Sequence, residues 1–431
     1  MTSVQLNTFP APTASTPAPR VLSDSPQRWR FLALLFLALF IGYANRGALS
    51  VAAPFMSEDL GLSKLGLGLA MSAFYWSYTL MQVPAGWAVD RFGPARPYAI
   101  GFIGWSLASA MTGMASGLRA LIGLRVAGGV GQSISFPATT RAVADAFHPH
   151  ERGTASGIYL NGSRLGAAAI TWGGVYFLAN HGWKQFFVVT GLIPLLWLLP
   201  WMKFINFGNS KSASTVRSGP YPSDSQSWKN LLRHRTILGL FLGGFAYGYG
   251  WYVFVSWLPS YLVMERHFAP KEMAILGSMP FLMMAVTSLF SGMFGDWLVR
   301  RGFRETRTQK ALAVVGLAVG CLIAPAGFVT DRTTAVLLLT ISLGGLGITS
   351  PQMWTLPIST SEHRMVGTVT GIQNVGCNLG GIIAPALTGL LVQSTGSFSL
   401  ALAMTGVILL TGIPSFWFLV SDSVSAVRRS D

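Results

Sequence analysis

The chain has 431 residues, of which 51% are hydrophobic and 10% are charged, and its formal net charge is +15 at pH 7. Soluble domains carry roughly 25% charged residues, so this composition excludes a soluble enzyme. Repeated apolar runs of about 20 residues predict an all-α membrane protein instead.

The first 27 residues are rich in Pro, Ser, Thr and Ala and predict a disordered cytoplasmic tail, 1–27. About twelve transmembrane helices follow, since roughly 30 residues make one span and its turn. The predicted spans cover 30–55, 66–89, 97–116, 118–143, 153–180, 184–206, 235–263, 273–298, 309–329, 333–358, 366–392 and 397–420. A polar stretch, 207–233, has the composition of a cytoplasmic linker. It separates an N-terminal six-helix bundle, 28–206, from a C-terminal six-helix bundle, 234–421, and a cytoplasmic tail, 422–431, ends the chain.

The 30 Lys and Arg residues are distributed unevenly along the chain. With the N-terminus inside the cell, most of them fall on the inner side, which predicts that both termini are cytoplasmic. This bias explains the positive charge without a nucleic-acid partner, and the lipid bilayer is the expected surrounding. Cys321 and Cys377 lie in apolar helices and form no metal-ligand cluster or disulfide framework. We therefore expect a monomer with no cofactor, no metal and no enzymatic activity.

A short pattern of Gly, Asp and Arg occurs once in each half of the chain. Its residues are Gly86, Asp90, Arg91, Gly93 and Arg96 after the second predicted span, and Gly292, Asp296 and Arg300 after the eighth. A small residue permits close helix approach, and an acid at a helix end can pair with nearby arginines or with a helix terminus. Two copies six helices apart indicate a duplicated six-helix unit, with these residues as a conformational motif.

The stretch from Gly86 to Arg96 resembles the signature of the loop between helices 2 and 3 in the major facilitator superfamily, and the resemblance extends over about 30–420. Within it, the chain resembles the anion:cation symporter family, which includes bacterial sugar-acid transporters and the sialin and vesicular glutamate carriers. The stretches that carry this resemblance are Tyr43–Pro54, Ser72–Trp87, Arg125–Ala138, Trp257–Leu262 and Gly371–Gly380. The resemblance implies two bundles that alternate access. Short outer loops favour a multi-pass protein of the bacterial inner membrane.

Three arginines, Arg46, Arg125 and Arg164, lie inside predicted spans. A charge in the bilayer core costs at least about 2.5 kcal/mol, so these residues are functional candidates. All 15 acidic residues fall in tails, loops or helix ends of the predicted topology. The sequence thus predicts a cationic cavity for an anion, with bidentate pairing to a carboxylate. The alternative is that an arginine caps helix carbonyls or reaches the interface; only Arg46 and Arg125 clearly align with the family's substrate-pathway arginines.

The chain departs from the family at two positions in the spans that carry Arg46 and Arg125. Proton-coupled relatives carry an acid just before the first-span arginine and another in the fourth span. Asn45 and Gln132 occupy those places here. An amide keeps the shape and the hydrogen bonding of the acid but does not titrate. The departure favours facilitated diffusion or anion exchange over proton symport.

Further polar and amphipathic residues lie in spans 1, 2, 5, 10 and 11, where a buried polar group needs a partner. They are Tyr43, Tyr75, Tyr78, Gln82, Asn161, Gln352, Trp354, Gln373, Asn374 and Asn378. Any one of them could simply join two helices, but as a set they predict contacts to the hydroxyls of a sugar acid. Tyr43, Tyr78, Trp354 and Asn374 match family positions best, and Asn161 and Gln352 complete the candidate site. The seventh span mixes glycine with aromatic rings that either pack or gate the cavity: Tyr247, Tyr249, Trp251 and Tyr252.

The sequence therefore predicts a secondary transporter of a small organic anion, a sugar acid or another carboxylate. One alternative is a proton-coupled organic-anion symporter that uses a non-standard route. The other is a drug or cation exporter of the same fold. An exporter of cations would need an acid in the cavity, and the predicted spans place none there.

Overall fold

The computed structural model of the protein describes residues 26–147, 152–205, 234–361 and 366–421, which form helices joined by short turns. The first half contains α1 (Gln27–Asp59), α2 (Lys64–Phe92), α3 (Ala95–Thr112), α4 (Leu118–Gln132), α5 (Ser135–Ala146), α6 (Arg152–Leu192) and α7 (Leu198–Ile205). The second half contains α8 (Arg235–Met264), α9 (Pro270–Arg300), α10 (Glu305–Gly320), α11 (Ile323–Ala326), α12 (Arg332–Thr349), α13 (Gln352–Thr360), α14 (Val366–Thr395) and α15 (Ser399–Pro414). The predicted linker, the predicted C-terminal tail and nearly all of the predicted N-terminal tail lie outside the described residues.

Eight helices among the described residues are long and apolar enough to cross a membrane. One of these runs, Gly157–Lys203, has 47 residues. As a straight helix it would be about 70 Å long, whereas the hydrocarbon core of a bilayer measures about 30 Å. Gly182 interrupts the run with a φ of +75°, and a Cβ on Gly174 would lie 3.2 Å from the ring of Phe186. The chain therefore folds back on itself at Gly182, at the predicted boundary between two spans.

Two helices predicted to be continuous are each divided into two. The span predicted at 118–143 is broken between α4 and α5 at Ser133 and Ile134, and the span predicted at 333–358 is broken between α12 and α13 at Ser350 and Pro351. All four residues keep right-handed helical backbone angles, so the axis bends without reversing. Both breaks fall in the fourth span of their half.

Left-handed backbone conformations recur in matching turns of the two halves. In the first half they occur at Gly61, Gly93 and Gly182, after the first, second and fifth predicted spans, and in the second half at His267, Gly302 and Gly396. Each residue of the second set lies in the turn that corresponds to one of the first set. The matched turns support an internal duplication.

The two halves meet closely at one end of the molecule, where α1 contacts α8 and α2 contacts α14. The Ser260 hydroxyl donates to the Ser50 carbonyl over 2.9 Å. A Cβ on Gly68 would lie 2.5 Å from the Pro385 carbonyl oxygen, and one on Gly389 would lie 2.5 Å from a carbonyl oxygen of α2. Only glycine permits backbones to approach this closely. We call this end the sealed end.

Candidate binding site

A cavity lies between the two halves of the chain, and aromatic rings from α1, α2 and α8 form much of its wall. Its polar and aromatic lining residues are Tyr43, Tyr78, Phe136, Ser163, Arg164, Tyr247, Trp251, Tyr252, Ser350, Trp354, Thr370, Gln373, Asn374 and Asn378. Trp354 stacks on Phe136 with ring centroids 6.3 Å apart and is 38% exposed. The cavity is therefore open on the side of Trp354. We call it the central cavity.

Arg164 is the cation of the central cavity. It extends from α6 and is 7% exposed. One of its terminal nitrogens donates to the Ser350 hydroxyl in the other half, and the other donates to the Leu160 carbonyl over 3.3 Å. Its Nε is buried without a hydrogen-bond partner among the described residues. The break between α12 and α13 thus presents a hydroxyl to a guanidinium that still has one N–H to donate.

Two amides on α14 also present unpartnered polar atoms to the central cavity. The Tyr252 hydroxyl donates to Asn378 Oδ1 over 3.2 Å, and Asn378 Nδ2 has no partner. Gln373 Nε2 donates to the Met353 carbonyl, and Gln373 Oε1 has no partner. Both side chains are almost fully buried. A buried amide without a partner costs roughly 1–3 kcal/mol, which a bound hydroxyl group would recover.

A second cavity lies entirely within the first half. Its polar lining consists of Asn45, Arg46, Trp105, Ser109, Thr112, Arg125 and Gln132. We call it the arginine chamber, because Arg46 and Arg125 are its two charged residues. Arg46 Nη1, Arg125 Nε and Trp105 Nε1 are buried without a partner among the described residues. The chamber is therefore rich in donors and positive.

Arg46 is held by one amide and three rings. Its Nε donates to Gln132 Oε1. Its guanidinium carbon lies 4.4 Å from the ring centroid of Tyr43, 4.6 Å from that of Tyr78 and 5.1 Å from that of Phe74. The guanidinium of Arg125 approaches Phe74 as well, at 4.8 Å. Such cation–π contacts contribute about 2 kcal/mol when desolvated, but a ring carries no net charge.

Tyr43 and Tyr78 separate the two cavities. Each ring lines the central cavity and also contacts the guanidinium of Arg46, which lines the arginine chamber. We call these two residues the tyrosine wall. The two arginines that sequence reasoning favoured most, Arg46 and Arg125, lie behind this wall, whereas Arg164 lies in front of it.

The two amides at the coupling positions belong to the arginine chamber. Asn45 Oδ1 accepts from the Ser109 hydroxyl over 2.9 Å, and Gln132 Nε2 donates to the Gly42 carbonyl over 3.0 Å. Gln132 therefore ties Arg46 to the backbone of its own helix. Within the described part of the chain, no acidic residue lines either cavity.

Two residues of the predicted site lie outside both cavities. Asn161 donates to the Gly157 carbonyl over 3.1 Å and contacts Arg164 at 3.5 Å. Gln352 is buried and donates to Ser291 over 3.2 Å, so it joins α13 to α9. The structure thus gives Asn161 a contact to the arginine and gives Gln352 a role between helices.

One lining residue, Ser350, was not singled out from the sequence, because a serine before a proline in an apolar span is an ordinary sequence feature. Gln373 and Asn378 were ranked below Asn374, although their pattern of one buried amide every few residues on α14 was visible. Asn374 itself donates to Gln82 over 3.3 Å, which joins the two halves.

The conformational motif lies away from both cavities. Gly93 ends α2 with a φ of +76°, and Arg91 is exposed with its guanidinium 5.3 Å from the ring of Trp87. A Cβ on Gly86 would meet no atom within 4 Å. In the second copy, Arg300 Nε donates to the backbone carbonyl of Asp296 over 3.3 Å. Arg96 is exposed, and the side chain of Asp90 lies outside what the structure describes.

Comparisons with known proteins identify the family to which this architecture belongs. The family model of the Major Facilitator Superfamily matches residues 35–385. The D-galactonate transporter of Escherichia coli is 33% identical over 424 residues, covering 93% of this chain and 98% of that protein. A probable sulfoacetate transporter of Cupriavidus necator is 32% identical, covering 91% and 94%. The hexuronate transporter of Bacillus subtilis is 31% identical, covering 86% and 90%.

A solved structure shares the fold. A bacterial homologue of the human lysosomal transporter Spinster, in an inward-facing and unoccupied conformation, has a TM-score of 0.73 at 18% identity, covering 91% of this chain and 97% of that one. The superfamily predicted from the sequence is confirmed. With this helical fold and a family match over most of its length, the chain belongs to the Major Facilitator Superfamily, as a multi-pass membrane transporter and not an enzyme.

Proposed function

We propose that this protein moves a small organic anion, a sugar acid or another carboxylate, across the membrane by alternating access. The observation that carries the proposal is the set of three arginines, two of them buried and Arg125 half-buried, on two adjoining cavities that no described acid lines. A buried cation without a counter-charge is unfavourable, and an anionic substrate supplies that charge. A carboxylate in the central cavity can also accept from Arg164 Nε, which has no partner among the described residues.

Hydroxyl groups on the substrate fit the unpartnered amides. One hydroxyl can accept from Asn378 Nδ2 while another donates to Gln373 Oε1. Similar proteins are named as transporters of D-galactonate, hexuronate, and galactarate or D-glucarate, all of them polyhydroxy carboxylates. These names and the polar lining support a sugar acid as the substrate.

In the proposed pose, the carboxylate faces the tyrosine wall. Tyr43 and Tyr78 line the central cavity, and the guanidinium of Arg46 lies against their rings. Arg125 adds a second positive charge behind the same wall. Arg46 and Arg125 attract the substrate through this wall and therefore remain in the proposed site.

The proposed topology has about twelve spans in two bundles, 28–206 and 234–421, with both termini in the cytoplasm and a monomeric chain. The matched left-handed turns support the two bundles. With this orientation the sealed end faces outward, and the central cavity opens to the cytoplasm. Rocking of one bundle against the other would then expose the site alternately to each side.

Transport proceeds by facilitated diffusion or anion exchange in this proposal. Asn45 and Gln132 keep their protons, so the chamber around Arg46 holds no group that would carry a proton with the substrate. A membrane potential that is negative inside opposes anion entry by about 2.3 kcal/mol per charge per 100 mV. Net import therefore needs rapid consumption of the anion or a counter-anion.

Uptake into proteoliposomes tests the proposal. We expect saturable uptake of labelled D-galactonate or of another member of an organic-acid panel. Arg46→Gln and Arg125→Gln should each lower uptake by about tenfold or more, since about 1.4 kcal/mol of lost binding free energy has that effect. Lys203→Gln, an exposed substitution on α7, is the matched control and should not change uptake.

Two results would contradict the proposal or part of it. If no organic anion is taken up and lipophilic cations are transported instead, the protein is an exporter. Normal uptake in Arg46→Gln or Arg125→Gln would remove that arginine from the site.

A further inference from the structure

We infer that the preferred substrate carries two negative groups, and that Arg164 selects for the second one. The inference rests on the proposed function and refines its substrate class. Two positive poles border the central cavity from different helices. Arg164 on α6 lines the cavity directly, and Arg46 on α1 lies behind the tyrosine wall.

The pole at Arg164 has no counter-charge. Its hydrogen-bond acceptors are a serine hydroxyl, a backbone carbonyl and the amide oxygen of Asn161, which are neutral groups. Its Nε has no partner although the side chain is almost fully buried. The Ser350 hydroxyl is also hydrogen-bonded to Tyr247, so Arg164 Nε is the donor that remains for a carboxylate.

The pole at Arg46 is likewise uncompensated. Gln132 accepts from it as a neutral amide, and three aromatic rings surround it. Arg125 adds to the same side through Phe74, and its Nε is also unpartnered. Within the described residues, no acid lines the arginine chamber.

Charge balance then separates the two classes of anion. A substrate with one negative group neutralises one pole and leaves a buried cation without a counter-charge at the other, which is unfavourable. A substrate with a negative group at each end neutralises both poles. Between the ends, Gln373 and Asn378 offer an acceptor and a donor to hydroxyl groups.

A matched pair of ligands tests this inference. D-galactonate and galactarate differ at one end of the carbon chain, where a hydroxymethyl group in the first is a carboxylate in the second. We expect the purified protein to bind galactarate about tenfold more tightly than D-galactonate by calorimetry. Arg164→Gln should lower the affinity for galactarate by about tenfold and change the affinity for D-galactonate by less than about threefold.

Two further variants keep the result interpretable. Arg164→Lys retains the charge without the planar fork, so it should keep part of the preference for galactarate. Lys203→Gln should bind both ligands as the unmodified protein does. Equal affinities of the unmodified protein for the two ligands would overturn the inference, and so would an equal loss of affinity for both in a folded Arg164→Gln. In either case, binding of D-galactonate would still support the proposed function. If neither ligand nor any other organic anion binds, the proposed function itself fails.

Discussion

Gln132 fixes the position of Arg46 and at the same time leaves its charge unbalanced. The amide accepts from the guanidinium and donates to the Gly42 carbonyl. A carboxylate at this position would accept from Arg46 equally well, but it would add a full negative charge. The difference of one atom therefore decides how much positive potential reaches the tyrosine wall.

The first prediction concerns Gln132→Glu. At pH 7.5 we expect affinity for the organic anion to fall by about tenfold, because an internal ion pair competes with the substrate. The carboxyl should stay ionised, because the neighbouring Arg46 guanidinium favours its charged form. Calorimetry at pH 7.5 measures the effect.

Gln132→Leu is the matched control for this prediction. It removes the hydrogen bonds to Arg46 and Gly42 without adding a charge, so it should lower the affinity much less than Gln132→Glu does. An unchanged affinity of Gln132→Glu at pH 7.5 would contradict the role given to the charge of Arg46.

Residue identities in the site were predictable, but their grouping was not. The cost of burying charge singled out Arg46, Arg125 and Arg164 from the sequence alone. Tyr43 and Arg46 are neighbours on one face of α1, yet the ring borders the central cavity while the guanidinium folds behind it. Helical spacing does not determine which side of a ring a long side chain takes, because rotamers and neighbouring helices decide that.

At the scale of helices, α2 contacts the other half at one end and leaves space at the other. Gly68 lies against Pro385 at the sealed end, whereas nothing lies within 4 Å of a Cβ on Gly86. The predicted close approach at Gly86 is therefore not made in this conformation. Alternating access would bring the Gly86 end of α2 toward the other half as the sealed end opens.

The second prediction compares Gly68→Val with Gly86→Val, two substitutions of the same kind on one helix. We expect Gly68→Val to force the sealed end apart, because its Cβ would overlap the Pro385 carbonyl. Cys377 lines the central cavity and reports access to it in a Cys321→Ser background. An impermeant maleimide should then label Cys377 from the outer side in Gly68→Val.

Gly86→Val should favour the conformation described here, since it obstructs closure without touching a neighbour now. Labelling of Cys377 from the inner side should persist and uptake should decline. Outer-side labelling in Gly86→Val but not in Gly68→Val would reverse the assignment of the two ends.

The helix breaks show what sequence patterns leave out. Gly182 carries a glycine signal, and the predicted spans change there. The break at Ser133 and Ile134 keeps helical angles, and Pro137 follows it. Proline has no N–H to donate to the carbonyl four residues earlier, which here is that of Ser133. The apolar periodicity alone therefore predicts one continuous span where the helix is divided.

At the scale of the whole molecule, the matched turns of the two halves and the cavity between them favour a carrier made of two bundles. The third prediction follows from the amides of Asn45 and Gln132, which do not titrate. Between about pH 5 and 8, no described side chain that lines either cavity changes its charge.

An imposed inward proton gradient should therefore leave the final accumulation of a fully ionised substrate unchanged. Proteoliposomes with an internal pH dye and a labelled anion measure both quantities together. If the protein is an exchanger, an unlabelled anion trapped inside the vesicles should accelerate uptake of the labelled anion. Uphill accumulation with acidification of the lumen would identify a proton symporter that uses another route.

The tyrosine wall has a consequence for how selectivity can change. The rings of Tyr43 and Tyr78 line the central cavity, while the guanidinium of Arg46 lies behind them in the arginine chamber. At this pole of the proposed site, fit and attraction therefore belong to different side chains. A smaller or larger ring would admit ligands of another length without altering their preferred charge, and a protein of this design can acquire new cargo by exchanging rings while its arginines stay in place.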